Sequence, residues 1–140
     1  MSGLDQELFA EKTAAIERHL HRVAERLPAD PEDFAPMTDA SDAVILHLWQ
    51  AVQAVIDLAT SACVHFRLGT PQSYGDSFQR LAAGGFLAPE LAGRLTRAAG
   101  FRNVVAHTYE RLDMGLVYRA AREGPAVLRA FLKALAKYVQ

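Results

Sequence analysis

The feature that most constrains the fold is one long apolar helical pattern near the middle of the chain, with helix-breaking segments on both sides. The stretch 28–36 before it is proline-rich and acidic, and the stretch 69–75 after it contains glycine and proline. We therefore expect a central helix that begins between Thr38 and Ser41, whose hydroxyls can cap it, and that runs to about Arg67. Its apolar face consists of Val44, Leu48, Val52, Val55, Leu58 and Ala59, with Ile45 and Trp49 beside them.

The same periodicity continues along the rest of the chain. The pattern predicts further helices at residues 4–27, at 76–81, from 89 through the segment 100–111, at 114–122 and at 125–139. Proline and glycine mark their ends: Pro28 ends the first helix, Gly84 and Gly85 close the third, and Gly124 and Pro125 restart the chain into the last. The sequence has no β-hairpin signal and no internal repeat.

The length and composition of the chain indicate one globular domain. A chain of 140 residues with 51% hydrophobic side chains can bury a core. We predict a single all-α domain over residues 1–140, an up-and-down helical bundle with additional short helices. The N-terminus lacks a signal-type sequence, and no uninterrupted apolar run approaches the roughly 18 residues of a membrane span. We therefore expect a cytoplasmic protein without a membrane segment.

The cysteine and metal-ligand patterns in the sequence indicate neither a catalytic thiol nor a metal site. Cys63 is the sole cysteine and lies in an apolar helical run, so we expect a packed core thiol, not a nucleophile. No cluster of Cys, His and carboxylate residues has metal-ligand spacing, and we expect neither a metal nor another cofactor.

Charge is distributed unevenly along the chain. Residues 1–66 hold 4 Lys or Arg and 11 Asp or Glu, a net charge of −7, whereas residues 67–140 hold 11 and 5, a net charge of +6. A basic surface attracts phosphates, although ordinary solvated helix faces account for much of such an asymmetry. The basic half therefore adds modest support to a nucleic-acid substrate.

The end of the fourth predicted helix carries more polar side chains than packing requires. On an ideal helix Asn103, His107 and Glu110 share one stripe, and Arg102 and Tyr109 share another. A guanidinium is always charged and suits phosphate oxygens, whereas an imidazole both takes and gives a proton near neutral pH. An arginine and a histidine can therefore cleave RNA without a metal, the histidine moving protons and the arginine stabilising the growing negative charge.

The spacing of these two residues favours a dimer. Residues five apart lie about 140° from each other around a helix, so Arg102 and His107 of one chain do not naturally face one point. Two copies of this helix about a two-fold axis would bring the side chains of both protomers into one cleft. Asn103 would orient the imidazole.

The alternative for His107 is a core or capping histidine that is hydrogen-bonded to Asn103 or Glu110. The alternative for Glu110 is to balance the charge of Arg102 or Arg111.

The pattern Arg102-Asn103-x-x-x-His107-x-Tyr109 resembles the Arg-x4-His-x-Tyr signature of HEPN-domain ribonucleases, specifically the HepT-like toxins of bacterial HepT and minimal-nucleotidyltransferase pairs. The segment 73–81, the Gly-Phe-Leu step at 85–87 and the segment 91–95 leading into Gly100 and Phe101 also resemble that family in order and spacing. The resemblance extends from about residue 41 to the end of the chain.

The resemblance implies a HEPN-like fold and a metal-independent endoribonuclease, a toxin that acts as a homodimer on RNA. It also implies a partner, a minimal nucleotidyltransferase antitoxin that transfers AMP to Tyr109. Tyr74 and Asp76 match a recurrent family element and are further site candidates, as is Glu110, but a loop tyrosine and a helix-capping aspartate would have the same sequence. The alternative function is a non-catalytic HEPN module that binds nucleotide or dimerises beside the nucleotidyltransferase. No aromatic platform for RNA bases is evident in the sequence.

Overall fold

The computed structural model describes residues 3–108 and 111–140, which form five α-helices and a short 3-10 helix at Pro31–Asp33. The α-helices are α1 (Gln6–Arg26), α2 (Asp39–His65), α3 (Tyr74–Ala83), α4 (Pro89–Thr108) and α5 (Met114–Ala136). The predicted all-α bundle is thus confirmed. An isolated parallel bridge between Leu4 and Val139 joins the two ends of the described chain.

Side-chain caps fix where the helices start. Thr38 and Ser41 form a capping box at the start of α2, in which each side chain accepts a hydrogen bond from the other residue's backbone N–H. This confirms the predicted start. Asp5, Ser73 and Asp113 cap α1, α3 and α5 with side-chain oxygens that accept first-turn N–H groups.

The central helix α2 packs against each of the other four α-helices. By length and composition α2 is apolar enough to cross a membrane, although the sequence has no long uninterrupted apolar run. More than half of its most apolar window is buried inside the bundle, which is the pattern of a core helix. Cys63 on α2 is fully buried, and its thiol donates to the Ser77 carbonyl at 3.3 Å. Burial raises the pKa of the Cys63 thiol, as expected for a packed core cysteine.

The prediction of two helices after residue 113 is wrong. The structure has one continuous helix, α5, which contains Pro125. Proline removes one helical hydrogen bond and usually ends or kinks a helix. Here the buried residues on both sides of Pro125 lie on one helical stripe, so packing of that stripe against the bundle favours a single helix. Its buried members are Val117, Tyr118, Ala121, Leu128, Phe131, Leu132 and Leu135.

Helix α3 also starts earlier than predicted. Ser73 is its N-cap, so Tyr74 and Gly75 belong to its first turn and not to the preceding loop. Gly100 in α4 is exposed, and a Cβ built on it would meet nothing within 4 Å. Gly100 therefore does not mark a close helix–helix contact among the described residues.

Candidate active site

The side chain of Arg102 lies between two aromatic rings contributed by two other helices. Its guanidinium carbon is 5.0 Å from the centre of the Trp49 ring on α2 and 4.7 Å from the centre of the Tyr74 ring on α3. A cation over an aromatic face within about 6 Å is attracted by the ring quadrupole. The half-buried guanidinium is thus held at the junction of α2, α3 and α4.

A hydrogen-bond chain continues from Arg102 across the surface of α2. Arg102 Nε donates to Gln53 Oε1 at 2.8 Å, and Gln53 Nε2 donates to Asp57 Oδ1 at 2.9 Å. The other carboxylate oxygen of Asp57 lies 3.6 Å from Lys12 Nζ on α1. The bond to Gln53 does not use the terminal Nη groups of Arg102, which are the pair that fits two oxygens of a phosphate.

Close packing of α3 on α4 brings Tyr74 to Arg102. A Cβ added at Gly75 would lie 2.9 Å from Thr96 Cγ2, so only glycine permits this approach without a shift. Gln79 of α3 also donates to Thr96 Oγ1 at 3.0 Å. The structure therefore places Tyr74, one of the predicted site candidates, in contact with Arg102.

Asp76, another of the predicted site candidates, lies in the first turn of α3. It accepts the backbone N–H of Gln72 at 2.8 Å and Arg80 Nε at 2.7 Å. These two hydrogen bonds hold the pKa of Asp76 below its ordinary value, the backbone bond having the larger effect. Arg80 in turn donates to the Leu68 carbonyl at 3.0 Å. Asp76 thus fastens the loop before α3 to the helix.

His107 and Asn103 point away from the core. Both side chains are exposed, and no hydrogen bond joins them within the described residues. The exposure of His107 excludes a core histidine, one of the two alternatives for this residue, and leaves a capping histidine as the other. The orientation of His107 by Asn103 remains a prediction. The predicted modification site Tyr109 and the candidate Glu110 lie outside the described residues.

An apolar groove runs along the neighbouring face of α4, between α4 and α5. Its volume is about 690 Å³, and its walls include Phe101, Val104 and Leu116, with Arg97 and Arg119 among its polar residues. Val104 and Leu116 are 41% and 45% exposed, which is high for large apolar side chains that a folded helix normally turns inward.

Sequence reasoning missed Trp49 and Gln53. The sequence pattern places Trp49 on the apolar side of α2, and Gln53 belongs to no motif. Nothing in the local sequence links either residue to Arg102, because the contacts span about fifty residues of chain and depend on how α2 and α4 cross. Among the described residues, no group of three or more His, Cys, Asp or Glu is placed to hold a metal ion.

Comparison with known proteins places this chain in a family. The model of the ribonuclease HepT-like family matches residues 15–135. A relative in Shewanella oneidensis, mRNA nuclease HepT, is 32% identical over 111 residues, which span 79% of this chain and 83% of the relative.

Solved structures agree. The tri-AMPylated HEPN toxin of Shewanella oneidensis, in complex with an MNT antitoxin, superposes with a TM-score of 0.85 at 27% identity, over 94% of this chain and 98% of that one. A toxin–antitoxin complex with AMP-PNP gives 0.86 at 26% identity, over 94% and 99%. These matches confirm the HEPN-like fold and, through the family, the predicted ribonuclease activity. The chain therefore belongs to the ribonuclease HepT-like family.

Proposed function

We propose that this chain is a metal-independent endoribonuclease that acts as the toxin of a toxin–antitoxin pair. The arrangement of Arg102 and His107 on α4 carries the proposal: the guanidinium is held between Trp49 and Tyr74, and the imidazole is open to solvent. A cation that is already fixed can stabilise a phosphorane without reorganising. An exposed imidazole can exchange protons with a bound substrate. The relatives named as an mRNA nuclease and as a HEPN toxin support this function.

The chemistry is an attack of a ribose 2′-oxygen on the adjacent phosphorus. His107 accepts the 2′-hydroxyl proton and delivers a proton to the leaving 5′-oxygen, and Asn103 orients its ring. The new bond from the 2′-oxygen to phosphorus forms as the bond to the 5′-oxygen breaks. The products are a 2′,3′-cyclic phosphate and a 5′-hydroxyl. Arg102 stabilises the negative charge on the phosphate oxygens through its Nη groups.

The active unit in this proposal is a homodimer. Arg102 is bound to its own α2 and α3, and His107 lies about 140° further around α4, given the five-residue offset. The groove between α4 and α5 supports a second copy as its occupant. It exposes apolar side chains next to the site, and a two-fold axis there would oppose two α4 helices. The one cleft at the two-fold axis would then receive Arg102 and His107 from both protomers.

Control by a nucleotidyltransferase antitoxin completes the proposal. An AMP group transferred to Tyr109 would add bulk and a negatively charged phosphodiester two residues from His107. That charge would compete with the RNA phosphate for Arg102. The AMPylated state of the Shewanella oneidensis toxin and its complex with an MNT antitoxin support this mode of control.

The deciding experiment measures RNA cleavage by the purified chain and by variants. His107→Ala and Arg102→Ala should each remove cleavage while the circular dichroism spectrum stays helical. His21→Ala is the matched control, since it removes an exposed histidine from α1. Cleavage should persist in EDTA and yield cyclic phosphate ends. Undiminished cleavage by His107→Ala, or an absolute need for added Mg²⁺, would reject the mechanism. A chain that binds the nucleotidyltransferase but never cuts RNA would support the non-catalytic HEPN module instead.

A further inference from the structure

An arginine side chain has several rotatable bonds, so fixing it in one orientation costs side-chain entropy. Arg102 lies near the end of α4, and its side chain is half-buried. A catalytic guanidinium is useful only if its Nη groups already point to where charge develops, because a small misplacement can cost about a hundredfold in rate. The surroundings of Arg102 therefore matter as much as its charge.

Three contacts together restrict the orientation of the guanidinium. The rings of Trp49 and Tyr74, with centres 5.0 and 4.7 Å from its central carbon, restrict where the group can lie. The 2.8 Å bond from Nε to Gln53 Oε1 limits its rotation. The three partners come from two helices, so the orientation depends on packing between elements and not on α4 alone. Tyr74 is 40% exposed, so this side of the arrangement borders solvent.

The amide of Gln53 is itself oriented by charge. Its Nε2 donates to Asp57 Oδ1 at 2.9 Å, and Asp57 is paired with Lys12 at 3.6 Å. Turning the amide over would place its NH₂ group against the guanidinium and its oxygen against the carboxylate, and both contacts would be repulsive. Asp57 therefore keeps the Gln53 oxygen available to Arg102.

We infer that Gln53, Trp49 and Tyr74 are positioning residues that hold Arg102 in the orientation that meets the scissile phosphate, with Asp57 fixing the Gln53 amide. The inference rests on the proposed function, since it concerns the same reaction. None of the four acts as an acid, a base or a nucleophile. Their effect is to present the Nη groups of Arg102 before the substrate arrives.

The main test replaces Gln53 by leucine, which keeps similar bulk and removes the acceptor. Gln53→Leu should lower kcat by about ten- to a hundredfold and leave KM within about threefold, because the lost interaction acts mainly in the transition state. Gln50→Leu is the matched control, with the same change one turn earlier on α2. It should leave kcat unchanged. Equal kcat values for Gln53→Leu and the unmodified chain would overturn the inference.

A second measurement separates positioning from a general loss of structure. In proton–nitrogen correlation spectra, the Arg102 Nε–H should give a resolved signal that exchanges slowly with water. Gln53→Leu should abolish this signal, and Tyr74→Ala should broaden it, while Gln50→Leu retains it. Global unfolding would instead collapse the amide signals of the whole chain. An unchanged Nε–H signal in Gln53→Leu would contradict the inference.

Binding measurements decide the inference even if the chain cuts no RNA. In a His107→Ala background, Gln53→Leu should weaken the affinity for a uridine–vanadate complex, which mimics the phosphorane, and it should have no further effect once Arg102→Ala is also present. Additive losses would mean that Gln53 acts independently of Arg102, which would overturn the inference. Absence of cleavage by the unmodified chain, combined with this non-additive binding, would reject only the proposed function.

Discussion

Gly75 of α3 faces Thr96 of α4 so closely that a Cβ on the glycine would lie 2.9 Å from Thr96 Cγ2. The threonine has little freedom to move away, because its hydroxyl donates to the Ala92 carbonyl at 2.8 Å and accepts from Gln79 at 3.0 Å. The contact sets the distance between the two helices. It therefore also sets the position of Tyr74, the residue before Gly75, against Arg102.

The first prediction concerns this contact. Gly75→Ala should destabilise the fold by about 1–3 kcal/mol, the usual cost of overpacking, despite the better helix propensity of alanine. Gly93→Ala in α4 is the control, since nothing lies within 4 Å of its added Cβ, and it should be neutral or stabilising. Urea denaturation measures both. Equal stabilities for the two variants would show that α3 and α4 separate easily.

Periodicity predicted most helices because burial of one stripe is a local property of the sequence. It failed at Pro125, where the local signal for a break is strong. The energy of keeping Ala121 and Leu128 buried on one continuous stripe comes from tertiary contacts that the local sequence does not display. The candidate site shows the same difference between local patterns, which the sequence displays, and tertiary contacts, which it does not.

The Arg102 and His107 pattern lies within six residues and was visible in the sequence. The contacts of Arg102 with Trp49 and Gln53 depend on how α2 and α4 cross. The position of the exposed Tyr74 ring depends on α3 beginning at that residue, which the sequence pattern does not indicate. Patterns within one helix are readable from sequence, whereas a site shared by three helices is readable only from their packing.

The second prediction concerns a histidine pair between α1 and α2. His19 Nδ1 lies 3.0 Å from His47 Nδ1, a distance that requires one nitrogen to be an unprotonated acceptor. Burial lowers the pKa of both residues from the ordinary value of 6.5, with smaller contributions from His47 and Arg18 at His19 and from Arg22 and Arg26 at His47.

As the pH falls, the unfolded chain binds protons at these two histidines before the folded chain does. The contribution of the neutral pair to folding stability is therefore fully present above pH 6.5 and should be lost as the pH drops through the lower folded pKa values. The double substitution His19→Gln with His47→Gln should flatten this part of the stability profile, while His21→Gln should not. Thermal unfolding between pH 7 and pH 5 tests it. If the stability of the double variant depends on pH in the same way as that of the unmodified chain, the histidine pair does not cause this pH dependence.

The third prediction tests the shared cleft directly. Arg102→Ala and His107→Ala should each be inactive alone. If the site combines both protomers, mixing the two variants and allowing subunit exchange should restore cleavage, because the mixed dimer still holds one Arg102 and one His107 in the cleft. Mixing Arg102→Ala with itself at the same total concentration is the control. No recovery despite proven exchange would place each site within a single protomer.

The last prediction concerns Tyr109 and its modification. Co-expression with the cognate nucleotidyltransferase should add AMP to Tyr109 and abolish RNA cleavage, because the adenylyl phosphate competes with the RNA phosphate for Arg102. Tyr109→Phe should remain unmodified and, if it retains ribonuclease activity, should escape this inhibition. Tyr74→Phe is the control, since it removes a phenol beside Arg102 and leaves Tyr109 in place. Intact mass spectrometry with peptide mapping measures the adduct. An inhibited complex without an adduct on Tyr109 would mean that the antitoxin acts by covering the cleft.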